Sequence, residues 1–208
     1  MGTKGPRRGT ALAAIVLSLA VMGAGQPALD ALEVDMSAPD IERALRLARW
    51  PASDADRARF HGRYVFRIDG PVIGNLQLES IEIVTEFRRT ELMAEEHVRI
   101  NDMFGRAGLS EVTKALEPWR GLVFVVARVR LMSAGRLVGL PPIDVALDSV
   151  PVRGDVRRTN ISNDEVLAGG LIETPFDAQS VGQMTRSVVV RWNGRTLGGA
   201  RVDFRALD

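Results

Sequence analysis

Apolar residues recur along this chain at two periods, and the change from one to the other marks out its elements. Behind Ser37 and Asp40, spaced as a capping box, Ile41, Ala44, Leu45 and Ala48 return at helical spacing. Pro51 is the stop, and Arg43, Arg46 and Arg49 form the opposite, wet stripe. A shorter helix is expected from Asp54 to Phe60, after Ser53. From Gly62 the period falls to two: Tyr64, Phe66 and Ile68 read as a strand ending in the turn Asp69-Gly70-Pro71. Leu76 and Leu78 keep one parity while Ile81 and Ile83 keep the other, which predicts a bulge near Ser80 or two short strands.

The clearest helical pattern spans Arg88 to Phe104. Leu92, Met93, Ala94, His97, Val98, Ile100, Met103 and Phe104 share one arc, with Glu91, Glu95, Arg99 and Asp102 opposite and Gly105 as the stop. A further helical turn begins at Ser110, with Val112, Leu116 and Trp119 inward and Pro118 breaking it.

Strands then dominate. Leu122 to Val126 is apolar at every position, as in a strand covered on both faces, and Arg128 and Arg130 alternate with Val129 and Leu131 where it emerges. Ser133 to Arg136 reads as a turn, Leu137 to Leu140 as the start of a return strand, and Pro141-Pro142 as an edge signal. Ile143, Val145 and Leu147 alternate, and Val150 to Val156 is a weaker strand. Between Arg157 and Gly170 the pattern dissolves, so a long mobile loop is expected there. Val188 to Trp192, Asn193-Gly194 and Arg195 to Phe204 form the strongest hairpin signal, with a bulge at Gly198-Gly199. These elements predict a mainly β fold, a β-sandwich of roughly seven or eight strands with a helical insertion. An α+β fold is the alternative.

The first 25 residues change where such a domain would work. Lys4, Arg7 and Arg8 precede an apolar run from Ala11 to Ala24, and Gly23-Ala24-Gly25 offers small side chains before Gln26. That is the order of a secretory signal peptide. Residues 1–25 are expected to be removed, leaving one globular domain over 26–208, periplasmic or secreted. The apolar run is about 15 residues against the roughly 20 a spanning helix needs, so an uncleaved anchor is the alternative. Arg7-Arg8 leaves the twin-arginine route open beside the general one. With no cysteine, disulfides, thiolate metal sites and a lipidated N-terminus are excluded.

Charge narrows the partners. Removing the leader takes three cations and no acid, turning a formal charge of +1 slightly negative. Clustered cations are what nucleic acid or an anionic bilayer would need, so the expected partner is a protein or small molecule. Membrane contact is expected only through the N-terminal segment, if it is retained.

Catalytic motifs are missing: no nucleophile elbow, phosphate-binding glycine loop, dinucleotide fingerprint or zinc helix occurs, so no cofactor is expected. His61, beside a turn, reads as a surface residue. His97 lies on the apolar arc, where a buried imidazole needs a partner such as Asn101. Glu95-Glu96-His97 is no metal site, because Glu95 and His97 point about 160° apart on a helix. The catalytic candidates are therefore His97, His61 and Asp102, and the ligand-binding candidates are Arg88, Arg89, Arg157 and Arg158, should those pairs converge.

Five segments carry a resemblance: Ile-Val-Thr-Glu-Phe-Arg-Arg (83–89), Glu-Pro-Trp-Arg-Gly (117–121), Pro-Pro-Ile-Asp-Val (141–145), Val-Arg-Arg-Thr (156–159) and Val-Asp-Phe-Arg-Ala-Leu-Asp (202–208). Through them the chain resembles a group of exported bacterial proteins of unknown function. The resemblance implies export and brings no activity. The functional expectation is a non-catalytic module that binds a protein or small ligand. The alternatives are an unrecognised hydrolase using His97 or His61 with a carboxylate, and an envelope protein held by its N-terminus.

Overall fold

The structure is a computed structural model and describes residues 36–49, 53–100, 104–105, 108–133, 139–163 and 166–207. The leader, Pro51, Asn101, Asp102, Met103 and most of the turn after Ser133 lie outside the described residues.

Among the described residues, four helices come in the first half: α1 (Ala38–Arg49), α2 (Asp54–Tyr64), α3 (Glu86–Arg99) and α4 (Leu109–Leu116), the last followed by a 3-10 turn at Glu117–Trp119. A short α5 (Ala178–Val181) comes later. The strands are β1 (Val65–Arg67), β2 (Leu76–Val84), β3 (Leu122–Leu131), β4 (Ile143–Leu147), β5 (Arg157–Asn163), β6 (Val166–Asp177), β7 (Thr185–Trp192) and β8 (Arg195–Asp203). They build two antiparallel sheets, ordered β1-β2-β3-β6-β5 and β4-β7-β8. Among the described residues eight strands fall in two sheets, the number expected, although β5 and β6 were not among the strands expected and the helices carry too much of the chain for a mainly β description. The fold is α+β.

One core lies between the sheets. Leu78, Ile81, Ile83, Val125, Ala127, Val129 and Ile172 of the larger sheet meet Ile143, Val145, Leu147, Val188, Val190, Leu197 and Val202 of the smaller one. The parity change in β2 is a register shift between Leu78 and Ser80, and the bulge keeps both halves facing this core. On the other face of the larger sheet, Arg128 and Arg130 emerge and pair with Glu79 at 3.1 and 3.2 Å. The rest of that face, around Glu82, Phe124 and Val126, is where the helices come in. There Ile41, Leu45 and Ala48 of α1 join Ala94, Phe104, Val112 and Leu116 in a second, smaller core.

Four expectations change. Residues 157–170 are no loop: β5 and most of β6 run through them as an antiparallel pair. β5 is an edge strand exposed at nearly every position, so it carries no apolar alternation to read. Gly169 and Gly170 lie within β6, where neighbouring strands approach closely. A Cβ on Gly169 would lie 2.2 Å from the Val129 carbonyl oxygen, and one on Gly170 2.4 Å from that of Thr159. The expected strand over Val150 to Val156 is reduced to single bridges, Val150 to Leu147 and Val152 to Phe176. Tyr64, expected in the first strand, closes α2 instead and is buried.

The fourth change concerns α3, and it creates the site. The helix starts earlier, at Glu86, capped by Thr85, whose side chain accepts from the Arg88 amide at 3.2 Å. Its buried face is Phe87, Arg88, Thr90, Glu91, Ala94 and Glu95, whereas Val98 and Ile100 are exposed. The acids expected in water are inside, because their counter-charges and an imidazole come from other elements.

Candidate functional site

Three elements supply the charged cluster. Glu82 projects from β2 on the helix-covered face, Arg88, Glu91 and Glu95 line the inner side of α3, and His61 sits in the last turn of α2. The N-cap of α2, Ser53 accepting from the Asp56 amide at 3.1 Å, sets that helix so that its last turn meets α3. His61 is more exposed than its partners, at 25 % of its side chain, while Arg88, Glu91 and Glu95 expose 3, 1 and 8 %.

Arg88 is the hub. Its Nη1 donates to Glu91 Oε2 and to His61 Nδ1, both at 2.6 Å, and its Nη2 and Nε donate to Glu82 Oε1 at 2.9 and 3.2 Å. The rings of Tyr64 and Phe60 flank the guanidinium carbon at 5.3 and 5.9 Å. A guanidinium only donates, so Nδ1 must offer its lone pair and the ring carries its hydrogen on Nε2. That hydrogen points at Glu95 Oε1, 3.0 Å away, with Glu91 Oε1 at 3.7 Å. On its outer side Glu95 meets Arg57 Nε at 3.4 Å and Arg99 Nη2 at 3.9 Å.

Two carboxyls this close and this dry do not both ionise. Burial pushes Glu91 up to about 8, against the pull of Arg88 and helped by its hydrogen bond to Glu95 and that group's charge. Near neutral pH, Glu91 is therefore an acid holding a proton and Glu95 its acceptor.

His61, Glu91 and Glu95 also have the spacing of a metal site, with one potential ligand atom from each inside 4.8 Å. A tetrahedral zinc with bonds of 2.0–2.1 Å sets its ligands roughly 3.3 Å apart, and the two imidazole–carboxylate distances bracket that value. The polarity does not fit. A ligating Nε2 needs its lone pair free and an acceptor at Nδ1, whereas Arg88 turns the N–H toward the carboxylates. This arrangement is a hydrogen-bonded relay, not a metal cage.

The cluster reaches solvent through a cleft of about 210 Å³ lined by Ala48, Arg57, His61, Glu95, Val98 and Arg99. Arg57 Nε is buried there with no hydrogen-bond acceptor. The cleft can offer a small molecule the partly exposed guanidinium of Arg57, the carboxylate of Glu95 and the edge of the imidazole.

The candidate residues from the sequence divide accordingly. His61 is a cluster member rather than a surface residue. His97 is half-buried and stacks on Phe104, ring centres 4.8 Å apart, while its proposed companions Asn101 and Asp102 lie outside the described residues. Arg88 enters the cluster, but Arg89, one position on around the helix, stands over the Trp119 ring at 4.2 Å together with Arg157 at 6.0 Å. Arg158 is exposed on the opposite strand parity. Glu91, Glu95, Glu82 and Arg57 were missed. The one signal for them was the spacing Arg88, Glu91, Glu95, which places a cation and two acids on a single helix stripe.

Compared with known proteins, the chain matches no family model and no curated protein. Among solved structures it is similar to a crystal structure of a novel protein of unknown function from Burkholderia pseudomallei. The identity is 14 %, the match covers 80 % of this chain and 90 % of that one, and the TM-score is 0.38. A likeness at that level transfers neither fold nor chemistry.

Proposed function

We propose that this is an exported, periplasmic or secreted, small-ligand-binding protein whose site is the cleft over His61 and Glu95. The observation that carries the reading is the lining of the cleft, where the partly exposed side chains of Arg57 and Arg99 stand beside Glu95, a carboxylate held in place from beneath by His61. The cleft is below the roughly 300 Å³ of drug-sized pockets, so the ligand has few heavy atoms: a small organic acid carrying a hydroxyl or amine, its carboxylate on Arg57 and Arg99 and its donor on Glu95.

Thermal unfolding of wild type, Arg57→Gln and Glu95→Gln across a panel of short hydroxy and amino acids tests this. A binder raises the wild-type midpoint and leaves both variants unmoved. A panel without effect, or equal shifts in all three proteins, refutes the reading. For export, the mass of the native product distinguishes a chain beginning at Gln26 from one keeping Met1 as an anchor. Among the described residues no helix is long and apolar enough to cross a membrane.

A second reading, acid–base hydrolysis, is favoured by one specific observation: a protonated Glu91 and an accepting Glu95 share one imidazole, the pairing of unlike carboxyls that such chemistry uses. Turnover of small esters that disappears in Glu95→Gln would select it over binding alone.

A further inference from the structure

The arginines that the His61 cluster does not use gather at a second place. Trp119, in the 3-10 turn after α4, packs on Phe124 of β3 with ring centres 4.5 Å apart. Arg89 comes from α3 and Arg157 from the edge strand β5, and both guanidiniums stand on this one indole, at 4.2 and 6.0 Å. Neither has a carboxylate within ion-pair distance among the described residues: Glu96 and Glu173 attract Arg89 only from farther away. Arg89 Nε is also buried without a hydrogen-bond acceptor. Burial pushes the Arg89 guanidinium down, the neighbouring Arg157 adds to that, and the two glutamates oppose it. Glu173, the cross-strand partner of Arg157, and Glu96 offset part of this like charge, and Arg89 Nε is left without an acceptor. An arginine pair fixed by an aromatic ring is the arrangement that receives the oxygens of an anion, because the planar forks are already oriented and little entropy remains to be lost.

We propose that Arg89, Arg157 and Trp119 form a binding site for an oxyanion, a carboxylate or a phosphate, separate from the His61 cleft. The anion bridges the solvent-facing parts of the two guanidiniums. The exposed position of Arg157 makes it the outer jaw, and the half-buried Arg89 the fixed one.

The indole N–H of Trp119, assigned by comparison with Trp119→Phe, reports the site in the NMR spectrum of the otherwise unaltered protein. Inorganic phosphate and glutarate are titrated separately, with sodium chloride holding ionic strength constant. The expected result is a saturable shift of the Trp119 signal with at least one probe, weakened tenfold or more in Arg157→Gln, a change at an exposed position of the edge strand. Response to phosphate alone identifies a phosphate-bearing ligand, and response to glutarate alone a carboxylate-bearing one. No saturable shift with either probe, or an unchanged affinity in Arg157→Gln, overturns the proposal.

Discussion

Replacing Glu91 by glutamine tests the state of the buried carboxyl pair. Glutamine keeps the shape of a protonated glutamate, accepts from Arg88 in the same place and still donates toward Glu95, but it cannot ionise. In the wild-type chain the Glu91 proton is held up to about pH 8 when folded, against an ordinary value of 4.5 when unfolded. Between those values the folded state binds the extra proton, so this group's contribution to stability is complete below about pH 4.5. It is lost at up to about 1.4 kcal/mol per unit as the pH rises toward 8. From pH 6 to pH 8 that amounts to about 2 kcal/mol. Glu91→Gln lacks this dependence, while every other titrating group is common to both proteins. Urea unfolding of the two at pH 6 and pH 8 should therefore show the variant gaining about 2 kcal/mol on wild type. In thermal midpoints, that is a change of roughly 4–8 °C in the difference at this chain length. Parallel stabilities across the interval would mean that Glu91 is already ionised in the folded protein, and the assignment of acid and acceptor would fail.

Two further substitutions test the supports of the site. Arg88→Met keeps the aliphatic volume between Tyr64 and Phe60 but leaves Glu82 and His61 Nδ1 without their donor. Denaturant unfolding should show a loss of about 3 kcal/mol, and a loss below about 1 kcal/mol would remove Arg88 as the hub. Gly169→Ala places a methyl against the Val129 carbonyl, where backbone and not a flexible side chain must yield. It should cost about 1–3 kcal/mol and increase hydrogen exchange along β3 and β6, whereas a neutral result would argue against their close pairing.

How much of this was legible in the sequence depended on whether burial and polarity agreed. Ile143 to Leu147, the Asn193-Gly194 hairpin and the parity change at Ser80 were readable because apolar side chains face the core between the sheets there. The start of α2 was readable because Ser53 lies where its first free amides need an acceptor, and that of α1 because Ile41, Ala44, Leu45 and Ala48 are buried at helical spacing. β5 was not, since an exposed edge strand satisfies itself through backbone bonds and leaves its side chains unconstrained. Glycines 169 and 170 misled because the residue that frees a loop also lets strands approach. The site was missed for a related reason. A pattern reading assigns acids to water, so Glu91 and Glu95 were set on the wet face. They could be buried only because Arg88, Arg57 and His61 answer them, and of these only Arg88 is near in sequence. The convergence of Arg89 with Arg157, 68 positions apart along the chain, depends on β5 and so was equally invisible.

The relay depends on the orientation of one ring: His61 receives a hydrogen bond from Arg88 on Nδ1 and gives one to Glu95 from Nε2. Nitrogen-resolved NMR of the histidine side chains reads this directly. The expected spectrum has the His61 hydrogen on Nε2, with Nδ1 bare, and loses that fixed state in Arg88→Met, which removes the donor to Nδ1. A hydrogen found on Nδ1, or a ring averaging between both forms in the wild type, would contradict the relay and reopen the three residues to a metal ion.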